Sequence, residues 1–402
     1  MINTHGTAFK NRLRSYRETL TKWLKDDSRS PSSKTTIRLG IWGTKSSGKT
    51  TYLAMLYDAL ELSNKWQVTV DKKARNFVQT HLETIRENLE FPEPTEKSET
   101  LEIFSYTLNP DPSSVNSSTI VLNFIDAPGE FYEHILEASA RIDNPDTQAY
   151  GEEDGSMDIV DYLINCDGII FLLDPVRSKE DGKKYSTLLR TLFQEFQERS
   201  QRSGATSGRL EQYMAFCVTK VDREELWSKG YKSDELAQKV GLELARVKNF
   251  CWLELDREKR RNRISKENRC EFFSVSSIGR YQDENEEWHE AVVYPTEKSS
   301  PSPEVTTSPS ATSQNLKRGF EFGDFTSSES TDTNSSNSSS SNWASGNNKE
   351  NKPASSSKLK PTIKPDVTLI SHNVLEPIEW LIRAIQYHPP SRPNPSSLSN
   401  QN

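Results

Sequence analysis

One eight-residue stretch constrains the fold of this chain more than any other feature: residues 43–50 read Gly-Thr-Lys-Ser-Ser-Gly-Lys-Thr. They fit the pattern G-x-x-x-x-G-K-[ST] at every defined position. The apolar residues 37–42 run directly into this stretch, and residues 51–57 continue it with a helical pattern. A strand, a glycine-containing loop and a helix in this order are the context that the pattern requires, so the sequence predicts a layered α/β domain.

A loop of this kind binds phosphate groups because its backbone N–H groups converge at the start of a helix. Glycine suits the positions where the backbone adopts a positive φ or approaches the phosphates closely. We expect Lys49 to reach the β- and γ-phosphates and the Thr50 hydroxyl to ligate Mg²⁺. The predicted nucleotide-binding residues of the loop are Gly43, Thr44, Lys45, Ser46, Ser47, Gly48, Lys49, Thr50 and Thr51.

A second polar group follows the apolar stretch 120–125 and reads Asp-Ala-Pro-Gly-Glu, residues 126–130. An aspartate that ends a strand parallel to the first one can hold a water molecule on Mg²⁺, so Asp126 is a predicted metal ligand. We expect the N–H of Gly129 to meet the γ-phosphate, so that loss of this phosphate frees the following segment. Gly129 therefore joins Lys49 in the predicted catalytic group.

Two later strands are followed by residues suited to a nucleotide base. After residues 213–218 comes Thr-Lys-Val-Asp, ending at Asp222, whose carboxylate can accept hydrogen bonds from N1–H and the 2-amino group of guanine. Adenine offers neither donor, so it would leave a buried carboxylate unpaired. We expect the stem of Lys220 to lie along the purine and ribose. In the next motif, Ser276 is expected to support Asp222, and the N–H of Ser277 to meet guanine O6.

Short apolar segments alternate with helical patterns from residue 36 to residue 281, which predicts one α/β domain with a mostly parallel sheet. The strand candidates are residues 37–42, 101–108, 120–125, 168–173, 213–218 and 270–275. The helix candidates are residues 49–62, 72–90, 184–200, 233–255 and parts of 131–165. Each polar motif above directly follows a predicted strand.

The remaining segments differ from this domain. Residues 1–35 combine basic residues with apolar residues at helical spacing, and they predict an amphipathic leader and a linker. Residues 282–366 are acidic at first and then rich in Ser and Asn, so we expect a disordered insertion in this polar chain of mean hydropathy −0.77. An apolar pattern returns at residues 367–388, which predict the last strand and helix of the same domain, followed by a disordered tail at 389–402.

In this order, the four motifs resemble the G domain of small GTPases of the Ras-like, translation-factor class. More narrowly, residues 48–57, the Asp-Ala-Pro-Gly-Glu motif and the Val-Ser-Ser-Ile-Gly motif resemble the double-GTPase group of prokaryotic P-loop GTPases. The resemblance covers residues 36–281 and the final helix, 373–387. It implies a three-layer α/β/α P-loop NTPase fold with a six-stranded mixed sheet, in which the strand at 101–108 runs antiparallel.

The resemblance also implies an activity, the hydrolysis of GTP to GDP and phosphate by a Mg²⁺-dependent molecular switch. Thr95, which fits the narrower group, is assigned to Mg²⁺ together with Thr50 and Asp126, and Thr100 is the alternative. Glu130 stands where Ras-like enzymes have a glutamine that orients the attacking water, and it is assigned to the catalytic group. Because a carboxylate is repelled by the γ-phosphate and has no amide donor, slow turnover is expected. The alternative is a nucleotide-dependent scaffold with negligible hydrolysis.

Other functional classes are disfavoured. The longest apolar run, residues 168–173, is far shorter than the ~20 residues that a membrane span needs, and the N-terminus does not resemble a secretory signal. The four scattered cysteines argue against a disulfide framework and favour the cytoplasm. The net charge of −7 does not favour nucleic acid. We expect a protein effector or activator, and a leader that packs on protein or makes weak contact with a membrane surface.

Overall fold

A computed structural model describes residues 34–93, 102–110, 119–126, 159–202, 210–227, 229–244, 247, 269–293 and 361–390. All of them belong to one of two compact units, which comprises Met1–Tyr294 and Pro361–Asn402. The other unit, Pro295–Lys360, lies outside the described residues, as do nearly all of the predicted leader and the chain beyond residue 390.

A seven-stranded sheet forms the centre of the fold. Its strands are β1 (Lys34–Trp42), β2 (Trp66–Val70), β3 (Glu102–Pro110), β4 (Thr119–Asp126), β5 (Gly168–Leu173), β6 (Tyr213–Val218) and β7 (Cys270–Ser274). Their spatial order is β2-β3-β4-β1-β5-β6-β7. Strand β3 runs antiparallel to both of its neighbours, and β4, β1, β5, β6 and β7 pair in parallel. The predicted antiparallel strand is therefore confirmed, and it is β3.

The predicted number of six strands is wrong, because β2 was not expected. This strand has five residues, lies at the edge of the sheet and pairs only with β3. Its side chains alternate between half-buried and exposed positions, beginning with a half-buried Trp66. In sequence, an alternation of half-buried and exposed side chains over only five residues cannot be distinguished from a connection between two helices. The strand forms because β3, much later in the chain, offers it backbone partners.

Helices cover both faces of the sheet. Those described are α1 (Lys49–Leu62), α2 (Lys72–Arg86), α3 (Ile159–Ile164), α4 (Pro175–Asp181), α5 (Lys183–Arg202), α6 (Glu224–Trp227), α7 (Ser233–Lys239) and α8 (Glu376–Tyr387). Helices α1, α2 and α8 pack on one face, and α3, α5 and α7 pack on the other. The predicted three-layer α/β/α fold is confirmed. None of the helices in the described ranges is long and apolar enough to cross a membrane.

Helix α8 follows the predicted insertion in sequence, yet it packs directly on the central sheet. Pro377 lies in its first turn, where the missing N–H of proline costs no helical hydrogen bond. Its buried face includes Ile378 and Leu381. A Cβ added at Gly168 of β5 would lie 2.9 Å from Leu381 Cδ2, so glycine at this position permits the close contact between helix and strand.

Two smaller sheets follow β7. In the first, β8 (Ser276–Gln282) lies between β12 (Ile370–His372) and β9 (Trp288–Glu290); in the second, β10 (Val292–Val293) pairs with β11 (Thr362–Ile363). Strands β9, β10 and β11 fall inside the predicted disordered insertion, so its limits at residues 282 and 366 do not match the structure.

These strands are too short to leave a periodic pattern in the sequence. A buried cluster stabilises them instead, in which Ile278, Val292 and Ile363 pack with Met55 of α1 and Ile85 of α2. Only tertiary contacts could therefore reveal that these strands belong to the domain.

Cys166 and Cys217 are buried free thiols, and Cys270, at the start of β7, is disulfide-bonded. A single disulfide is not the framework of several bridges that the sequence argues against, so that expectation and the cytoplasmic location stay predictions.

Candidate functional site

The loop between β1 and α1 has the backbone geometry of a phosphate cradle. Gly48 adopts a φ of 92°, and its carbonyl accepts a hydrogen bond from the N–H of Tyr52 at 2.7 Å, so it begins the helix. A Cβ added at Gly43 would lie 2.3 Å from Ser47 Oγ. Glycine is therefore required at Gly43 by close packing and favoured at Gly48 by its positive φ.

Lys49 is folded back into this loop. Its ammonium group donates hydrogen bonds to the carbonyl oxygens of Gly43 at 2.8 Å and Thr44 at 3.2 Å, and the residue is only 7% exposed. The hydroxyl groups of Thr44 and Ser47 are buried and have no hydrogen-bond partner within the part of the chain that the structure describes. A buried cation beside unpaired hydroxyl donors suits an anionic ligand with several acceptor oxygens.

A second set of polar groups lies at the ends of β6 and β7. Asp222 is 3% exposed, and its carboxylate accepts a hydrogen bond from the hydroxyl of Ser276. The Ser276 oxygen in turn accepts the N–H of Gly279 at 2.9 Å, which fixes the direction of the hydroxyl. Burial raises the pKa of Asp222 above its ordinary value, and the hydrogen bond from Ser276 partly opposes this effect.

Lys220 adopts a φ of 57° and reaches across to the end of β5. Its ammonium group lies 2.7 Å from a carboxylate oxygen of Asp174, which is fully buried. Asp174 also caps α4 by accepting the N–H groups of Val176 at 2.9 Å and Arg177 at 3.4 Å. This contact holds the lysine stem in place. No sequence motif pointed to Asp174, although its position directly after an apolar strand was a usable signal.

Most of the predicted nucleotide-binding residues line one cavity of about 410 Å³, whereas Gly43 and Thr44 are not among its lining residues. Of the predicted nucleotide-binding residues, it is lined by Lys45, Ser46, Ser47, Gly48, Lys49, Thr50, Thr51, Lys220, Asp222, Ser276 and Ser277. The structure therefore brings together segments that lie far apart in the sequence, because parallel strands end at the same edge of the sheet.

Part of the cavity wall was not predicted. Its apolar members are Phe91 and Pro92 after α2, Ile278 of β8, Val292 of β10 and Pro361 beside β11. Two of them, Val292 and Pro361, come from the segment predicted to be disordered, and Ile278 belongs to the Val-Ser-Ser-Ile-Gly motif without having been assigned a role there. We call these five residues the apolar wall.

Asp126 is described only by its backbone, which ends β4. The residue before it, Ile125, pairs with Gly40 of β1, so the backbone of Asp126 lies beside the strand that leads into the phosphate loop. Thr50 lines the cavity at the start of α1. The hydroxyl of Thr50 is an oxygen donor of the kind that Mg²⁺ prefers, and an aspartate at residue 126 is chemically suited to the same ion. The other predicted site residues, Thr95 with its alternative Thr100, Gly129 and Glu130, lie outside the described ranges.

Comparison with known proteins identifies the domain type. A family model described as Double-GTPase 2 matches residues 37–273, more than half of the chain. Among solved structures, the signal recognition particle receptor SRb-GTP/SRX complex from Chaetomium thermophilum is 12% identical, with 60% of this chain and 94% of that chain covered and a TM-score of 0.31. The GTP-bound Ski7 GTPase-like domain of S. cerevisiae is 15% identical, with 62% and 45% covered and a TM-score of 0.30. No curated protein matches the chain.

Proposed function

Because the chain belongs to the Double-GTPase 2 family, we propose that it binds GTP and GDP in the 410 Å³ cavity and hydrolyses GTP as a molecular switch. One observation carries this proposal: the same cavity contains the buried ammonium group of Lys49 and the buried carboxylate of Asp222. A cation suits the phosphate end of a nucleotide, and a carboxylate suits the N–H donors of guanine.

The phosphate end follows from the loop geometry. When a nucleotide binds, its phosphate oxygens replace the carbonyl oxygens of Gly43 and Thr44 as acceptors for the ammonium group of Lys49. The lysine then has a charged partner in place of two neutral ones, and hydrogen bonds between charged groups are stronger. The amides at the start of α1 add further donors. As negative charge shifts during transfer of the γ-phosphoryl group to water, a preorganised ammonium and fixed amides stabilise it without rearrangement.

The base end selects guanine. Asp222 is held by Ser276 on one carboxylate oxygen and keeps acceptor capacity for a pair of N–H donors. Adenine lacks these donors, so binding adenine would leave the buried carboxylate of Asp222 unpaired. An unpaired buried charge costs more free energy than the missing hydrogen bonds alone. The ion pair with Asp174 fixes Lys220, so that the aliphatic stem of the lysine can lie beside the base.

Magnesium fits the phosphate end through Thr50 and Asp126, with Thr95 as the proposed third protein ligand. When bound, this ion neutralises charge on the β- and γ-phosphate oxygens. We also propose that the protein is cytoplasmic and that it has a protein effector or activator. Neither the family nor the fold identifies this partner.

A second candidate function follows from Glu130, which stands in the sequence where a water-orienting glutamine is found in Ras-like proteins. A carboxylate there lacks the amide donor. The chain would then act as a nucleotide-dependent scaffold with negligible hydrolysis.

Single-turnover release of phosphate from bound GTP distinguishes the two functions. Protein purified without nucleotide is loaded with GTP, Mg²⁺ is added, and phosphate is measured over hours. We expect slow release by the wild type. The matched control is Lys49→Ala, which we expect to bind neither nucleotide tightly. Tight GTP binding without phosphate release by the wild type would favour the scaffold, and equal GDP affinity in Lys49→Ala would refute the site.

A further inference from the structure

Arg280 is a buried residue of β8 that no motif in the sequence identified. It is 4% exposed, and its guanidinium group lies behind the loop that contains Asp222. One nitrogen, Nη1, donates a hydrogen bond to the backbone carbonyl of Asp222 at 3.2 Å. The other, Nη2, donates to the carboxylate of Glu224 at 2.8 Å and to the carbonyl of Trp288 at 2.9 Å.

The contacts of Arg280 connect three elements around the base end of the cavity. Asp222 belongs to the loop after β6, Glu224 begins α6, and Trp288 begins β9. The guanidinium carbon also lies 5.2 Å from the ring centre of Trp227 in α6. A planar guanidinium with several donors in fixed directions can satisfy all of these partners together, whereas a lysine ammonium cannot reproduce the fork.

Asp222 is therefore held at two points by one strand. Ser276, the first residue of β8, donates to its carboxylate, and Arg280 of the same strand donates to its backbone carbonyl. Holding both ends of the residue limits rotation of the carboxylate, and a pair of parallel hydrogen bonds depends on that direction. The hydrogen bond from Ser276 by itself does not hold the carbonyl end of Asp222.

We propose that Arg280 is a positioning residue for guanine recognition, acting through Asp222 and contacting no part of the nucleotide itself. This inference rests on the proposed function, because it assumes that Asp222 binds guanine. It goes further by assigning specificity to a residue of the small β12-β8-β9 sheet. A purely structural role for Arg280 would weaken all nucleotides alike, and a positioning role weakens those that use both hydrogen bonds most.

The chain contains a matched control for a buried arginine. Arg269 is 2% exposed, ion-paired with Glu211 at 3.0 Å, hydrogen-bonded to the Glu211 carbonyl, and placed 5.1 Å from the ring centre of Tyr213. Its partners thus repeat those of Arg280 in kind: a carboxylate, a carbonyl and an aromatic ring. Arg269 directly precedes β7, at the end of the strand opposite Ser276, and it does not line the nucleotide cavity.

The test compares dissociation constants for GDP and inosine diphosphate, which lacks the 2-amino group. They are measured for the full chain as wild type, Arg280→Met, Arg280→Lys and Arg269→Met, with thermal unfolding recorded for each. We expect the wild type to prefer GDP, Arg280→Met to reduce this preference by about tenfold, and Arg280→Lys to give an intermediate value. Arg269→Met is expected to lower thermal stability and keep the wild-type preference.

The other outcomes separate the positioning role of Arg280 from the guanine site itself. A preference that is unchanged in Arg280→Met, or that falls equally in Arg269→Met, overturns the positioning role while leaving the guanine site intact. If Arg280→Met does not fold, the preference of Arg280→Lys decides in the same way. A wild type that binds inosine diphosphate as tightly as GDP overturns the proposed function of Asp222 and this inference with it.

Discussion

At the scale of single residues, Asp222 has the proposed role of recognising guanine, but its burial disfavours the ionised carboxylate that this role needs. Burial raises its pKa, with a smaller rise caused by Glu290, while Ser276 and Arg223 lower it. Guanine binding needs the ionised carboxylate, since N1–H and the 2-amino group both donate to it. Protonation of Asp222 therefore competes with GDP.

This competition predicts a pH dependence. We expect the affinity for GDP to fall as the pH decreases through the raised pKa of Asp222, beginning above the ordinary value of 3.8. By linkage, the sign for stability is opposite: in the nucleotide-free protein, ionising this buried carboxylate costs stability as the pH rises through the same window. Calorimetric titrations with GDP from about pH 8 down to about pH 4, close to the ordinary value, measure the effect. Asp222→Asn is the control, because it keeps the titration of the GDP phosphates and removes that of Asp222. Superimposable pH profiles for the two proteins would contradict the prediction.

Substituting the same residue should also change which base binds. In Asp222→Asn, the amide can donate to the 2-oxygen of xanthine while its carbonyl still accepts from a ring N–H. We expect this variant to lose GDP affinity by about a hundredfold and to gain affinity for xanthosine diphosphate. Competition binding with GDP, xanthosine diphosphate and ADP tests this. An unchanged GDP affinity would remove Asp222 from the base site.

At the scale of elements, the β10–β11 pair adds a wall to the cavity. Ile363 of β11 donates its N–H to the carbonyl of Leu89 at 3.0 Å, and Lys364 donates to Ala291 at 2.8 Å. The first bond fastens the strand pair to the segment after α2, and the second connects the two strands of the pair. The apolar wall cannot bind phosphate, so in the proposed complex we expect it to cover the carbon surface of the ribose and purine and to exclude water from it.

Val292 and Val293 provide a matched test of this wall. Val292 is 3% exposed and lines the cavity, whereas the adjacent Val293 is 45% exposed. A hydroxyl in the wall lowers its apolar contact with the nucleotide at almost constant volume. We expect Val292→Thr to release a fluorescent GDP analogue several-fold faster, about 1 kcal/mol in barrier, and Val293→Thr to match the wild type. Equal release rates for all three proteins would show that the wall does not retain the nucleotide.

At the scale of the whole molecule, the segment between β10 and β11 is joined to the domain at closely spaced ends. Val293 pairs with Thr362 in an antiparallel register, so the two chain ends lie about 5 Å apart. Shortening a connection lowers the entropic cost of closing it, by about 0.6 kcal/mol for each halving of its length, so the exchange does not destabilise the domain. The domain therefore does not depend on that connection for closure.

Replacing residues 294–360 with Asn-Gly, which together with Pro361 makes a three-residue loop between Val293 and Thr362, should leave the domain folded. We expect the melting temperature to stay close to that of the wild type and the GDP affinity to stay within about twofold, because loops of this length are common in hairpins. The comparison is a chain truncated before α8, which exposes the face that Ile378 and Leu381 cover and should aggregate. If the turn variant aggregates and the truncated chain does not, the division of the chain is wrong.

Local chemistry was accessible from the sequence because the donors and acceptors of a motif lie within a few residues of one another. The strand, loop and helix around Lys49 are one continuous segment, so the phosphate cradle could be predicted residue by residue. Asp222 and Ser276 were predicted as partners because each directly follows an apolar strand, and the carboxyl ends of parallel strands share an edge. The buried face of α8 was equally visible as a repeating apolar pattern.

Tertiary structure alone decided the features that depend on partners far along the chain. Strand β2 forms because β3 pairs with it, and β10 forms because β11 and a buried cluster support it. Arg280 contacts Asp222 across 58 positions, and Lys220 contacts Asp174 across 46. A single buried arginine or aspartate leaves no periodic signal. Its role depends on which carbonyl or ammonium group the fold brings within about 3 Å, and that distance is a property of packing.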